Sequence, residues 1–163
     1  MNWSHKFNGL GVRYEVGVSI LGGDICWLLG SFRPGANPDI KSFKNNLAFQ
    51  LDENERVEAD NGYKAMDPLK CKTPAGHRFG FGADNAKRVK QMLERARSRH
   101  ETVNSRFYAF DMLKSFRHNI NDHEIVFMVV VSLVQLSIEI DSPLFPIGSN
   151  EYNDIVDLVK GTL

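Results

Sequence analysis

Apolar and polar positions alternate from Tyr14 to Ile20, where Tyr14, Val16, Val18 and Ile20 are separated by Glu15, Gly17 and Ser19. A period of two marks a half-buried strand. Gly22-Gly23 follows, and Asp24 then leads into a second apolar run, Ile25 to Leu29. Two glycines tolerate the positive φ of a tight turn, so the two runs are expected to pair antiparallel. Residues 30–38 hold two Pro and two Gly and read as a loop. Asp39 suits a helix cap, and Ile40, Phe43 and Leu47 recur at helical spacing from there to about Phe49. A charged turn at Asp52 to Glu55 leads to a short strand, Arg56 to Asp60, ended by Asn61-Gly62. Residues 64–85 contain Pro68, Pro74, Gly76, Gly80 and Gly82 and read as irregular.

The strongest helical signal runs from about Asn85 to Ser115. Val89, Met92, Leu93, Ala96, Val103, Phe107 and Phe110 form one apolar stripe along it. Asn121 followed by Glu124 resembles a capping box and opens a second apolar segment reaching about Ile140. The β-branched content of this segment suits a strand, but its length favours a buried helix. The order is therefore strand, strand, helix, strand, irregular insert and two C-terminal helices. That order is α/β or α+β and matches most of a ribonuclease H-like core, although order alone does not select the fold.

Composition narrows the class. The chain has 163 residues, 42% of them hydrophobic, with 11 Phe and 2 Trp, enough for one sizeable core. The longest unbroken apolar run, Ile125 to Val131, is seven residues, too short to span a bilayer. The first residues carry no apolar stretch of the kind a secretory signal needs. Cys26 and Cys71 give no disulfide framework and fit free thiols inside the cell. Basic and acidic residues balance at 20 each, yet Lys87 to Arg117 contains nine Lys/Arg against three Asp/Glu. A local basic excess of this kind can hold phosphates, and it is equally compatible with a solvated helix face.

Two carboxylates stand out. Asp60 is placed at the carboxyl end of a strand, where ligands gather in α/β sheets; the competing reading is a turn-forming Asp in an Asp-Asn-Gly string. Glu101 lies in the basic helix among Arg97, Arg99, His100 and Asn104; the competing reading is a solvated face. Taken together, a strand-end Asp and a later helix-borne Glu fit a divalent-metal phosphoryl-transfer site, because hard cations take oxygen ligands. Cys26, Cys71 and His77 lack paired zinc-ligand spacing. His100, His118 and His123 suit helix-end or packing roles. Gly80-Phe81-Gly82 lacks the third glycine and the preceding strand of a nucleotide fingerprint.

Ala59-Asp60-Asn61-Gly62-Tyr63 resembles the second acidic motif of DDE transposases, in particular the Harbinger-like and insertion-sequence-5-like endonucleases. Arg99-His100-Glu101-Thr102-Val103-Asn104 resembles the third. Pro34-Gly35 followed by Pro38-Asp39 is similar to the loop after the early hairpin. His118, His123, Phe127 and the stretch from Gln135 to Glu139 resemble the closing helix. The likeness covers roughly Ser4 to Phe145. It implies a partial DDE domain over 1–145 and a tail over 146–163, with an incomplete ribonuclease H-like fold that lacks its central first strand.

The resemblance implies metal-dependent cleavage and joining of DNA, with Asp60 and Glu101 as catalytic metal ligands for Mg²⁺ or Mn²⁺. It implies DNA as partner, with Arg95, Arg97, Arg99 and Arg106 as candidate DNA contacts, and nuclear action. The family's first catalytic Asp, in an Asp-Gly-Thr-like motif, has no counterpart in the chain, and a Lys often found seven residues after the Glu is Tyr108 here. The expectation is thus a truncated, transposase-derived nuclease domain that is inactive alone, or is completed by a second chain. A domesticated DNA- or protein-binding module is the alternative. Glu15, Asp24 and Asp39 are candidate substitutes for the absent carboxylate, and ordinary roles as surface, turn and cap residues suit them better.

Overall fold

The computed structural model describes residues 3–4, 9–33, 39–53, 55–63, 70–72, 83–114 and 119–147. The Pro34-Gly35 and Pro38 positions, His77, Gly80 to Gly82 and His118 lie outside them, as do residues 148–163. Strands β1 (Trp3–Ser4) and β2 (Gly9–Leu10) pair antiparallel, with Trp3 opposite Leu10. Strands β3 (Arg13–Val18) and β4 (Ile25–Phe32) form a second two-stranded sheet. Helices α1 (Asp39–Asn45) and α2 (Leu47–Gln50) follow. Strand β5 (Val57–Glu58) leads to a 3₁₀ turn, Asn61–Tyr63, and pairs in parallel with β6 (Cys71–Lys72). Helices α3 (Ala83–Tyr108), α4 (Asp111–Lys114) and α5 (Ile120–Ile140) complete the order.

The protein is mixed α/β. Among the described residues its strands form three separate two-stranded sheets. Contacts divide the chain into two compact units, Met1–Glu15 with Phe32–Phe79 and Val16–Ser31 with Gly80–Leu163. Two of its cuts fall inside β3 and β4, where no composition shift marks them, and the third, between Phe79 and Gly80, falls in the stretch with Pro and Gly that reads as irregular.

In the first unit the core is built on Phe43 and Cys71. Ile40, Leu47, Ala48, Leu51, Val57, Ala59 and Tyr63 pack against them. The spacing of Ile40, Phe43 and Leu47 turns one face of α1 and α2 inward. Phe43 meets Tyr63 edge-on, with centroids 6.1 Å apart, a favoured aromatic geometry. The β5–β6 pair lays Val57 beside Cys71, so a two-residue ladder seals the same core. Lys70 fastens the entry to β6 by donating from Nζ to the carbonyls of Leu51 (2.8 Å) and Asp52 (2.9 Å).

In the second unit α3 and α5 pack together. The buried residues Val89, Met92, Leu93, Val103 and Phe107 of α3 are those of the expected stripe, and α5 buries Phe127, Val130, Val134 and Ile138. Phe107 and Phe127 meet edge-on at 5.3 Å. The helix cap of α5 is Asn119, not Asn121: its side chain accepts from the backbone of Asn121 and Asp122. Glu124, expected to close a capping box, instead accepts from the Ser31 hydroxyl at 3.2 Å. Leu144 and Ile147 are buried, so packing continues to the last described residue and past the expected end at 145.

The turn between β3 and β4 follows from its glycines. Gly23 has φ +83°, a conformation that side chains with a Cβ rarely adopt. Its amide donates to the Ser19 carbonyl, and the Ser19 amide donates to the Asp24 carbonyl at 2.8 Å. Asp24 is thus a turn residue. Its Oδ1 also accepts from Gln135 of α5, whose Oε1 takes the Ile25 amide at 2.8 Å.

Candidate functional site

Asp60 and Glu101 belong to different compact units. Asp60 is exposed and follows β5 by two residues; its carbonyl accepts from the Tyr63 amide at the 3₁₀ turn. Glu101 is exposed on α3.

Around Asp60 the first unit gathers a polar cluster centred on Tyr63. Burial pushes the Tyr63 hydroxyl well above its ordinary pKa, and Asp39, Glu15 and Asp60, in that order, push it further. Arg13 opposes them. Its guanidinium pairs with Asp39 at 2.7 Å and lies 5.7 Å from the Phe32 ring centroid. Three carboxylates are therefore near enough to one half-buried hydroxyl to act on it. Two of them, Glu15 and Asp39, are among the candidate substitutes for the absent acid. Cys71 feels the same surroundings: burial first, then Glu58 and Asp60, push its thiol up to about 11. It remains a protonated core residue at neutral pH.

The cluster does not amount to a metal centre. Among the described residues no group of three or more His, Cys, Asp or Glu side chains could hold a metal ion. Two-ion chemistry needs oxygen ligands converging on each ion, and the described residues offer no such group.

Around Glu101 the second unit uses its arginines structurally. Arg99 is 3% exposed. Its Nη1 donates to the carbonyls of Ile20 (2.7 Å) and Leu21 (3.3 Å) in the β3–β4 turn, and its guanidinium lies 5.9 Å from the Phe145 ring centroid. Burial pushes its pKa below the ordinary value, with Arg95 adding and Asp24 opposing. Arg95 donates to the Pro146 carbonyl and Arg106 to the Ser142 carbonyl, both at 2.6 Å. The segment after α5 thus runs back along α3, fastened at both ends by arginines and sealed by Leu144 and Ile147. Of the four arginines expected to face DNA, Arg99 is enclosed, Arg95 and Arg106 hold this segment, and Arg97 is half-buried on α3.

His100 is a packing residue with defined hydrogen bonds. Its Nε2 donates to the Val16 carbonyl at 3.0 Å, and Nδ1 accepts from Asn104 at 3.3 Å. A carbonyl can only accept, which fixes the proton on Nε2. His123 is buried on α5; burial lowers its pKa, against backbone hydrogen bonds at His123 and Leu113 that raise it.

The Tyr63 cluster was only partly visible in sequence. Tyr63 closes the Asp-Asn-Gly-Tyr string, but nothing local marks Arg13 or Glu15 as its neighbours. The arginine-to-carbonyl contacts left no signal at all, because a carbonyl acceptor has no residue identity. Comparison with known proteins finds no matching family model, no matching curated protein and no matching solved structure.

Proposed function

We propose that the chain is a transposase-derived, DDE-type endonuclease domain with an incomplete ribonuclease H-like core, and that it does not cleave DNA by itself. The observation that carries this reading is the order of elements and the acids on them. A hairpin and a helix precede a short strand, Asp60 follows that strand by two residues, and Glu101 is exposed on the long helix beyond. The resemblance of the two motifs assigns Asp60 and Glu101 to Mg²⁺ or Mn²⁺ in intact relatives, and nuclear action with them. The same resemblance gives DNA contact to Arg95, Arg97 and Arg106 of α3.

The test is plasmid nicking by the full chain with Mg²⁺ or Mn²⁺, together with duplex DNA binding across a salt series. The expected result is no metal-dependent nicking, and binding that weakens steeply with salt. Robust nicking that disappears in Asp60→Ala overturns the inactivity. Absent or salt-insensitive binding overturns the DNA contact.

The second reading, a module that binds protein or DNA without catalysis, is favoured by a specific observation: Arg95, Arg99 and Arg106 of α3 are engaged with backbone carbonyls of their own unit.

A further inference from the structure

Helix α5 is apolar on two opposite sides. At about 100° per residue, the buried set His123, Phe127, Val130, Val134 and Ile138 lies on one side. Ile125, Met128, Val129, Leu133, Leu136 and Ile140 lie on the other, and they are between 49% and 74% exposed. A helix of a soluble domain ordinarily shows polar residues on its outer face, and one that is apolar all round is enclosed on all sides. The outer stripe runs for roughly 22 Å at 1.5 Å per residue, long enough for about four turns of a second helix. A contiguous apolar surface of this kind marks an interaction site.

We propose that this face docks an amphipathic helix of another protein whose apolar stripe is flanked by Lys or Arg. Charge selects that occupant. Asp122 stands on the stripe at its start and Glu139 at its edge near the end, while α5 contains no Lys or Arg. Two copies of α5 would oppose carboxylate to carboxylate in either orientation, which like charges resist. An anionic bilayer surface is repelled for the same reason. By length and composition α5 could cross a membrane, but Gln135 and Glu124 bind it to the β3–β4 hairpin through Ile25 and Ser31. The inference stands apart from the nuclease reading, since it uses neither Asp60 nor Glu101.

The experiment uses the full chain and a labelled synthetic amphipathic peptide of about 18 residues, with a leucine stripe and Lys/Arg flanks. A matched peptide carries Glu flanks. Fluorescence anisotropy should show the basic peptide binding at least roughly tenfold more tightly than the acidic one, with the difference shrinking at high salt. Val129→Asp and Leu136→Asp should each weaken binding by roughly tenfold or more while far-ultraviolet circular dichroism stays unchanged. Should either variant lose helix, Leu136→Gln, uncharged and on the same exposed face, replaces it. Equal binding of the two peptides, or binding indifferent to these substitutions, overturns the proposal. So does sedimentation showing a dimer that Leu136→Asp dissociates, which assigns the face to a second copy. Flotation with phosphatidylcholine vesicles that the same variant abolishes would assign it to lipid, and also overturns the proposal.

Discussion

Helices α3 and α5 pack against each other, yet each inverts what its composition suggests. The charged helix encloses one of its charges: Arg99 is buried, Arg95 and Arg106 donate to carbonyls after α5, and Lys87, Lys90 and Glu101 stay exposed. The apolar helix shows its apolar residues, from Ile125 to Ile140. The difference teaches that residue type reports how a side chain is solvated only after its partners are known. A guanidinium can be enclosed if carbonyls meet its donors. A leucine stays in water if nothing has docked on it.

The largest expected effect comes from removing the enclosed charge. Arg99→Ala deletes hydrogen bonds to the Ile20 and Leu21 carbonyls. Hydrogen bonds to charged groups contribute about 1.5–3 kcal/mol each. A loss of about 3 kcal/mol in urea unfolding is expected. Arg99→Lys should recover only part of it, because one ammonium lacks the planar fork of donors. If Arg99→Ala leaves the midpoint unchanged, the contrast between the two helices fails, and the α3 arginines become ordinary surface residues.

Gly23 is the receiving side of the same contact. A Cβ there would stand 3.1 Å from Arg99 Nη2 and 3.3 Å from Leu144 Cδ1, on a backbone with φ +83°. Gly23→Ala therefore adds left-handed strain of about 1–2 kcal/mol to a crowded neighbour, and about 2 kcal/mol of destabilisation is expected. Gly11, with nothing within 4 Å of its Cβ position and no positive φ, is the control; Gly11→Ala should be near neutral. Equal effects at the two glycines would show that the turn does not depend on the arginine contact.

These contacts also mark the limit of what the sequence discloses. Periodicity located β3, β4, α1, α3 and α5 because each repeats its apolar signal over several turns or pleats. Strands β1, β2, β5 and β6 are two residues each, too short to carry a period. Only β5 was anticipated, from its flanking turn residues, while β6 lay within a stretch read as irregular from its Pro and Gly content. The cap of α5 was misplaced by two residues because Asn119 and Asn121 are chemically identical candidates. The sequence puts Asp60 at the end of a short strand and Glu101 on the long helix; Asp60 lies two residues past β5, Glu101 lies on α3, and both are exposed. The neighbours of Asp60 around Tyr63 were not, since Arg13, Glu15 and Asp39 arrive from distant parts of the chain.

The smallest effect separates the two buried faces by pH. Arg99 keeps its proton when enclosed, because a guanidinium does not deprotonate in proteins. His123 gives its proton up: burial disfavours the imidazolium and lowers the folded pKa below the ordinary value. In the unfolded chain that value is about 6.5. Between the unfolded pKa and the lower folded one, the unfolded chain binds more protons, so stability rises with pH. Acidification from neutrality should therefore begin to cost stability near pH 6.5, and the cost should stop growing once the pH passes below the folded pKa. His123→Gln retains hydrogen-bonding atoms without a titrating ring, so its urea midpoint should vary less between pH 7 and pH 5 than that of the parent. If both proteins show the same slope, another group carries the pH dependence and the imidazole of α5 is not held in its neutral form by the packing around it.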